Sequence, residues 1–513
     1  MPLQIYLDAV PPGALLANSV VLRSDNWDDY SHKTLFSVTL YTDSGVGLSL
    51  GAVKIGYTGQ GYVRSRESMP SSLVEMPENY FSLGQEPEYY QRLMTVPATL
   101  RNEYLRCMRD VVADPVREQL AAQESVFSTS LLRSVSRTAI DGQFRRILSG
   151  GAVLTSYRFY YTAPMGSDDG EMQLAFEVTP NSLPPTNIHV VIGRNGVGKT
   201  TLLNSIVEAI VHQEHADTLG RFEIASESWL PKVPMPPSYF SSVTSVAFSA
   251  FDRFNPLPDQ RDKSQGVGYV YIGLKKRSAN SPNHHVFKDP DELVDDFLKS
   301  LGVCLSMDIK REQWKNAIKV LEFDENFAEM SLSMLADDTH DKTEINRYAE
   351  QVFRNMSSGH KIVLLTVTKL VETIEEKSLV LLDEPESHLP PPLLSAFTRA
   401  LSELLTARNA VALIATHSPV VLQEVPRSCV WKINRFRDST KAERPEMETF
   451  GENVGSLTRE IFGLAVRKSG FHDLLAKAVE QVGDFEQILK HYENQIGLEG
   501  QAVLRALLAA RGQ

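Results

Sequence analysis

Between Ile188 and Val211 the chain runs from a buried-looking strand into Gly193-Arg194-Asn195-Gly196-Val197-Gly198-Lys199-Thr200 and straight on into a helix-like segment. That order fits G-x-x-x-x-G-K-[ST] in the strand-to-helix context such a loop requires. The glycines let the backbone wrap closely, so that its N–H groups and the positive end of the following helix face phosphates. Lys199 adds a mobile positive charge for β and γ phosphates, and Thr200 a hydroxyl for Mg²⁺. Asn195, Gly196, Val197, Gly198, Lys199, Thr200 and Thr201 are therefore the expected nucleotide-binding residues, with ATP and Mg²⁺ as the bound species.

A second run, Ser378-Leu379-Val380-Leu381-Leu382-Asp383-Glu384-Pro385, is an apolar strand suited to the middle of a parallel sheet. Ligands bind at the carboxyl ends of such strands, where the two carboxylates stand. Asp383 is expected to hold Mg²⁺ together with Thr200, and Glu384 to accept a proton from an attacking water.

Two further segments make a family resemblance specific. Met356-Ser357-Ser358-Gly359-His360-Lys361 opens a helix-like stretch shortly before the acidic strand, and Val411–Ala415 leads into Thr416-His417-Ser418. With the loop and the acidic pair, these resemble the ABC ATPases. The resemblance implies that Ser357, Ser358 and Gly359 form a signature motif binding the γ-phosphate of a partner subunit's ATP. It further implies that His417 is the switch histidine, and that Lys199, Glu384 and His417 carry catalysis. Glu386-Ser387-His388-Leu389-Pro390 resembles the soluble OLD-like and PtuA-like branch, and maps Ser387 to the loop at the dimer interface. Val246–Asp252 takes the place of the transporter Q-loop without a glutamine, leaving Ser249 or Asp252 as replacements. The similarity covers about residues 155–435.

The rest of the chain is organised around this head. The expected fold is α/β: an ABC-type P-loop ATPase head (151–435) with a helical insertion at about 253–355, preceded by a small α+β domain (1–150) and followed by a helical tail (436–513). Strand-like alternation before residue 60 reads as a small antiparallel sheet, and helical spacing follows from Pro87. Arg133, Arg137, Arg145 and Arg146 could line one basic helix face, more simply a solvated one. Tyr157, Phe159, Tyr160 and Tyr161 could offer a ring to adenine, though their alternation fits strand packing equally. His212, His215, His284 and His285 lack the companions of a metal site.

With 513 residues and a formal net charge of -12, the whole-molecule field disfavours indiscriminate contact with nucleic acid or anionic membranes. Three widely spaced cysteines suggest neither a disulfide framework nor a cysteine zinc site. The start of the chain lacks a signal-peptide pattern, and no apolar run approaches the ~20 residues of a membrane span. A cytoplasmic setting is expected. The resemblance implies a homodimer or larger even-numbered oligomer controlling a separate effector in bacterial anti-phage defence, such as an HNH nuclease or retron components, with nucleic acid reached through the complex. The alternatives are an ATPase of DNA recombination or repair and a self-contained OLD-type nuclease. The latter needs a Toprim domain, for which too little chain follows His417. The apolar positions of Gly470–Gln513 recur at helical spacing and suggest a face for a partner.

Overall fold

The computed structural model describes residues 3–511 apart from 15, 30, 152, 165–170, 213–215, 226–231, 249–254, 261–266, 279–280, 338–341, 437–438 and 464–469. The readings placed on Ser249, Asp252 and His215 lie outside the described residues, as does the side chain of His284.

Gln4–Leu7 (β1), Ser19–Ser24 (β2), Leu35–Tyr41 (β3), Gly47–Tyr57 (β4), Ser72–Leu73 (β5) and Tyr80–Gly84 (β6) form one sheet in the order β5-β1-β2-β3-β4-β6. Its β1 and β2 run parallel, so the sheet is mixed and not antiparallel as the alternation suggested. Alternation reports which face is buried and carries no information on strand direction. The helix Pro87–Met94 (α1) and those after it cover one face, burying Tyr89, Tyr90, Leu93 and Tyr104 with Phe81 and Leu83.

Asp110 is buried within this layer. Its carboxylate accepts the N–H groups of Val112 (2.9 Å) and Ala113 (3.1 Å) and the Tyr90 hydroxyl (3.0 Å). Burial outweighs these bonds and pushes the group from 3.8 up to about 7. The folded chain thus holds a proton that the unfolded chain has released. The stability this group lends is complete below about pH 4 and is lost as pH rises through 7. Melting curves should show Asp110→Asn, which cannot ionise, gaining on the parent between pH 4 and pH 8. A melting difference independent of pH would rule the titration out.

The second layer is a central sheet in the order β13-β12-β16-β17-β9-β18-β19. Its members are Ile188–Ile192 (β9), Ser242–Ala247 (β12), Gly268–Gly273 (β13), Leu379–Asp383 (β16), Val411–Thr416 (β17), Val430–Phe436 (β18) and Ser439–Glu443 (β19). All neighbours pair parallel except β18 with β19. Tyr157–Ala163 (β7), Met172–Val178 (β8), Arg221–Ala225 (β10) and Lys232–Pro234 (β11) make a separate antiparallel sheet. The helix Lys199–Val211 (α2) packs its Leu202, Leu203 and Ile206 with Phe159 and Phe176 of that sheet and with Leu379, Leu381 and Leu413 of the central one.

Alternate residues of the same central strands, Val380, Leu382 and Ile414, face the other way. There they meet Pro290–Ser306 (α3), Asp308–Leu321 (α4), Glu325–Met330 (α5), Lys342–Asn355 (α6), Ser358–Thr373 (α7) and Pro391–Arg408 (α8). The two helices that start at chemically marked loops, α2 and α7, therefore lie on opposite faces of one sheet.

Two stretches differ from their sequence reading. The insertion's helices begin only at Pro290, because Gly268–Gly273 is an edge strand of the main sheet, followed by the hairpin Lys275–Ser278 (β14) and Ser281–Phe287 (β15). The charged segment after Asn434 holds β19, which pairs with β18. Charge marks an exposed edge strand as readily as a loop.

The basic face is also resolved otherwise. Arg133 pairs with Asp29 (2.8 Å), Arg145 with Glu118 (2.5 Å), and Arg146 with Glu376 at the far end of α7 (2.7 Å). Three of the four arginines are thus engaged within the chain. Beside the last contact, Ser136 N–H donates to Glu375 (2.8 Å). Arg408, ending α8, is buried between Glu86 (2.5 Å) and Glu88 (3.3 Å). The N-terminal domain so grips the distal ends of both α7 and α8.

The tail helices Phe471–Gln481, Phe485–His491 and Leu498–Arg511 enclose a small core of their own, with Ala478, Val479, Ile488 and Leu504 buried. Most of the apolar face read as a partner surface is turned inward, although Leu474 remains 53% exposed. The face is satisfied by neighbouring turns of the tail, which helical spacing alone does not reveal.

Candidate nucleotide site

The loop between β9 and α2 has the geometry its glycines suggest. Gly196 (φ 81°) and Gly198 (φ 98°) adopt left-handed backbone, and a Cβ on either would meet nothing within 4 Å. Conformation demands glycine there, while the space beside them stays open. Gly193 is required for a different reason, since a Cβ would stand 2.5 Å from the Ile433 carbonyl oxygen of β18.

Lys199 is 4% exposed, and its ammonium donates to the carbonyls of Gly193 (3.1 Å) and Arg194 (3.3 Å). These bonds curl the side chain back over the loop. Asn195 and Thr201 are exposed, and Val197 and Thr200 partly so.

Glu384 follows β16 with left-handed backbone (φ 45°), held by its N–H to the Ala415 carbonyl at 2.9 Å. One oxygen of its carboxylate lies 3.7 Å from Lys199 Nζ and 3.8 Å from His417 Nδ1. The pairing of β16 with β17, and of β17 with β9, brings these three side chains together.

The residue that the motif reading left without a role is Glu386. Its Oε1 accepts the Thr416 hydroxyl (2.6 Å) and the His417 N–H (2.6 Å), and stands 3.0 Å from His417 Nδ1, which is off hydrogen-bond alignment. It fixes the turn that presents His417. The signal was available: a second acidic residue, two places after Glu384, is only 8% exposed.

Ser357 and Ser358 are exposed at the start of α7, whereas Gly359 is buried. A Cβ on Gly359 would come within 2.5 Å of the His388 carbonyl oxygen. The signature segment thus packs on the loop holding Ser387, which is itself exposed. His388 Nε2 lies 3.2 Å from the Phe248 carbonyl and ties that loop to the end of β12.

The groups present fit a magnesium nucleotide. Thr200 and Asp383 offer hydroxyl and carboxylate oxygens, the hard donors that Mg²⁺ takes. Glu386 keeps a buried oxygen without a hydrogen-bond partner among the described residues. Elsewhere among the described residues there is no group of three or more His, Cys, Asp or Glu side chains placed to hold a metal. Tyr157, Phe159 and Tyr161 are buried in the antiparallel sheet, so they pack it and do not present a face to adenine. Tyr160 is covered by the Lys232 ammonium, 4.0 Å from its ring centre. No described helix is long and apolar enough to cross a membrane.

Residues 213–423 match the family described as "AAA domain, putative AbiEii toxin, Type IV TA system". The matched stretch holds Ser357, Asp383, Glu384 and His417. Protein ea59 of Escherichia phage lambda is 43% identical over 517 residues, covering 98% of this chain and 97% of its own length. Among solved structures, a nucleotide-free ATP-binding cassette from an ABC transporter is 15% identical, covers 60% of this chain and 95% of its own, and superposes with a TM-score of 0.29. The SMC head domain from Thermotoga maritima is 12% identical over 57% of this chain and 99% of its own, with a TM-score of 0.30.

Proposed function

Since the chain belongs to the family of the phage lambda protein ea59 and is an ABC-like P-loop ATPase of α/β fold, we propose that it hydrolyses ATP at sites shared between two copies of itself. The observation that carries this reading is the placement of α2 and α7 on opposite faces of the central sheet. Lys199, Glu384 and His417 form one half of a site, while Ser357, Ser358 and Ser387 are exposed away from it. Only a second copy can bring the two halves to one γ-phosphate.

In this reading the loop amides and Lys199 bind the phosphates, and Thr200 and Asp383 hold the metal. Mg²⁺ supplies charge neutralisation at the β and γ oxygens. Glu384 takes the proton of the attacking water, and His417, set by Glu386, faces the γ-phosphate. Pairing of the heads then controls a separate effector, a nuclease, in defence against phage. The resemblance to OLD-like and PtuA-like ATPases and the phage origin of ea59 support that part; its assay is whether a neighbouring gene product co-purifies with the chain.

The shared site is tested by mixing two inactive chains. Gly359 is unsuitable for blocking the signature segment, because any side chain there would push on the His388 carbonyl of its own chain. Ser358→Arg adds bulk at an exposed position instead. Lys199→Ala and Ser358→Arg should each be inactive alone, and their mixture should recover up to roughly a quarter of the parental ATPase rate, one intact site per mixed dimer. A mixture as inactive as its components would exclude the trans arrangement.

A further inference from the structure

Ser357 caps α7, and its hydroxyl does not stand alone. Its Oγ lies 2.6 Å from Nδ1 of His360 and 3.5 Å from the His360 N–H. The other ring nitrogen, Nε2, lies 3.1 Å from Asp324 Oδ1. That oxygen also caps α5, accepting the N–H groups of Asn326 (3.0 Å) and Phe327 (3.3 Å). The buried Phe327 ring stands 5.2 Å from the imidazole. A chain of three side chains therefore runs from the helical insertion to the exposed head of α7.

The chemistry of the chain has a direction. Desolvation raises the Asp324 carboxyl, but the His360 ring and the two N–H donors more than reverse this, and the net effect holds it below its ordinary value. An ionised carboxylate only accepts, so the ring proton belongs on Nε2. Neutral imidazole then offers Nδ1 as acceptor to the Ser357 hydroxyl. Positions 357 and 360 have the spacing of a capping box, with the imidazole in the place of Glu or Gln and reaching the serine hydroxyl.

We propose that Asp324 and His360 are positioning residues: they hold the Ser357 hydroxyl in the one rotamer that meets the γ-phosphate of a partner copy's ATP. This rests on the shared-site reading above. Through them the helical insertion becomes part of the composite site without touching nucleotide. Loss of Asp324 would free the ring to change tautomer, and loss of His360 would free the serine rotor.

Two readouts on the full chain test it. In ¹⁵N-histidine spectra without nucleotide, with His360→Ala used for assignment, His360 should carry its proton on Nε2 alone, and Asp324→Asn should give a mixture of tautomers. In kinetics, Ser357→Ala, His360→Ala and Asp324→Asn should each lower kcat about tenfold. ATP affinity of the single chain should stay within about twofold, since α2 is on the other face. His360→Gln, which restores an ordinary capping box, should recover most of kcat. A parental ring protonated on Nδ1 overturns the proposal. So does a normal kcat for His360→Ala and Asp324→Asn beside an impaired Ser357→Ala. A normal kcat for Ser357→Ala removes the shared-site reading as well, which separates the two failures. Should His360→Ala fail to fold, His360→Gln, Asp324→Asn and the parental spectrum still decide.

Discussion

A Glu384→Gln chain should bind ATP, pair, and stop. The amide keeps the shape of the carboxylate at the end of β16 and removes the proton acceptor, so phosphate release should fall by about 10²-fold or more. The paired, ATP-bound state should accumulate and be visible by light scattering or size exclusion with ATP. The geometry favours a large effect, because the Glu384 carboxylate lies between Lys199 and His417, 3.7 and 3.8 Å away. Glu386 cannot substitute. Its Oε1 is occupied by the Thr416 hydroxyl and the His417 N–H. A steady-state rate within about twofold of the parent would remove Glu384 from the role of base.

Lys199→Ala should fail one step earlier, at nucleotide binding. The ammonium is needed for phosphates in the ground state as well as the transition state, so affinity itself falls, by about tenfold or more. Isothermal titration with ATP separates this from the Glu384 variant, which should bind normally. Lys199 is buried and bonded to the Gly193 and Arg194 carbonyls, so truncation also loosens the loop. Lys199→Met, which keeps most of the volume, controls for that. Unchanged ATP affinity in both variants would show that phosphates are bound elsewhere.

The loop and the acidic strand were legible because their chemistry is local. Gly196 and Gly198 adopt backbone that only glycine accepts at no cost, and an apolar run ending in two carboxylates marks a buried parallel strand by composition alone. Gly193 was legible as part of the motif, but its close approach to Ile433 was not. The C-terminal tail shows the opposite error. Its apolar spacing was read correctly as helical, and the conclusion that the face awaits a partner did not follow, since the tail's own helices cover much of it.

What the sequence by itself determined is the chemistry of each segment: a phosphate loop at Gly193–Thr200, carboxylates at Asp383 and Glu384, a serine-capped helix at Ser357, and a histidine after an apolar strand at His417. Backbone conformation and side-chain chemistry depend on residues within a few positions, and these the chain spells out. Only the tertiary structure decided which segments meet. The order β12-β16-β17-β9 puts Glu384 beside His417 and Lys199, and the two faces of that sheet part α2 from α7. Asp324 reaches His360 across 36 positions, and Arg146 and Glu86 reach Glu376 and Arg408 across 230 and more. Such contacts depend on how whole sheets and helices bury their apolar faces against one another, a property of the packed chain that no local pattern contains.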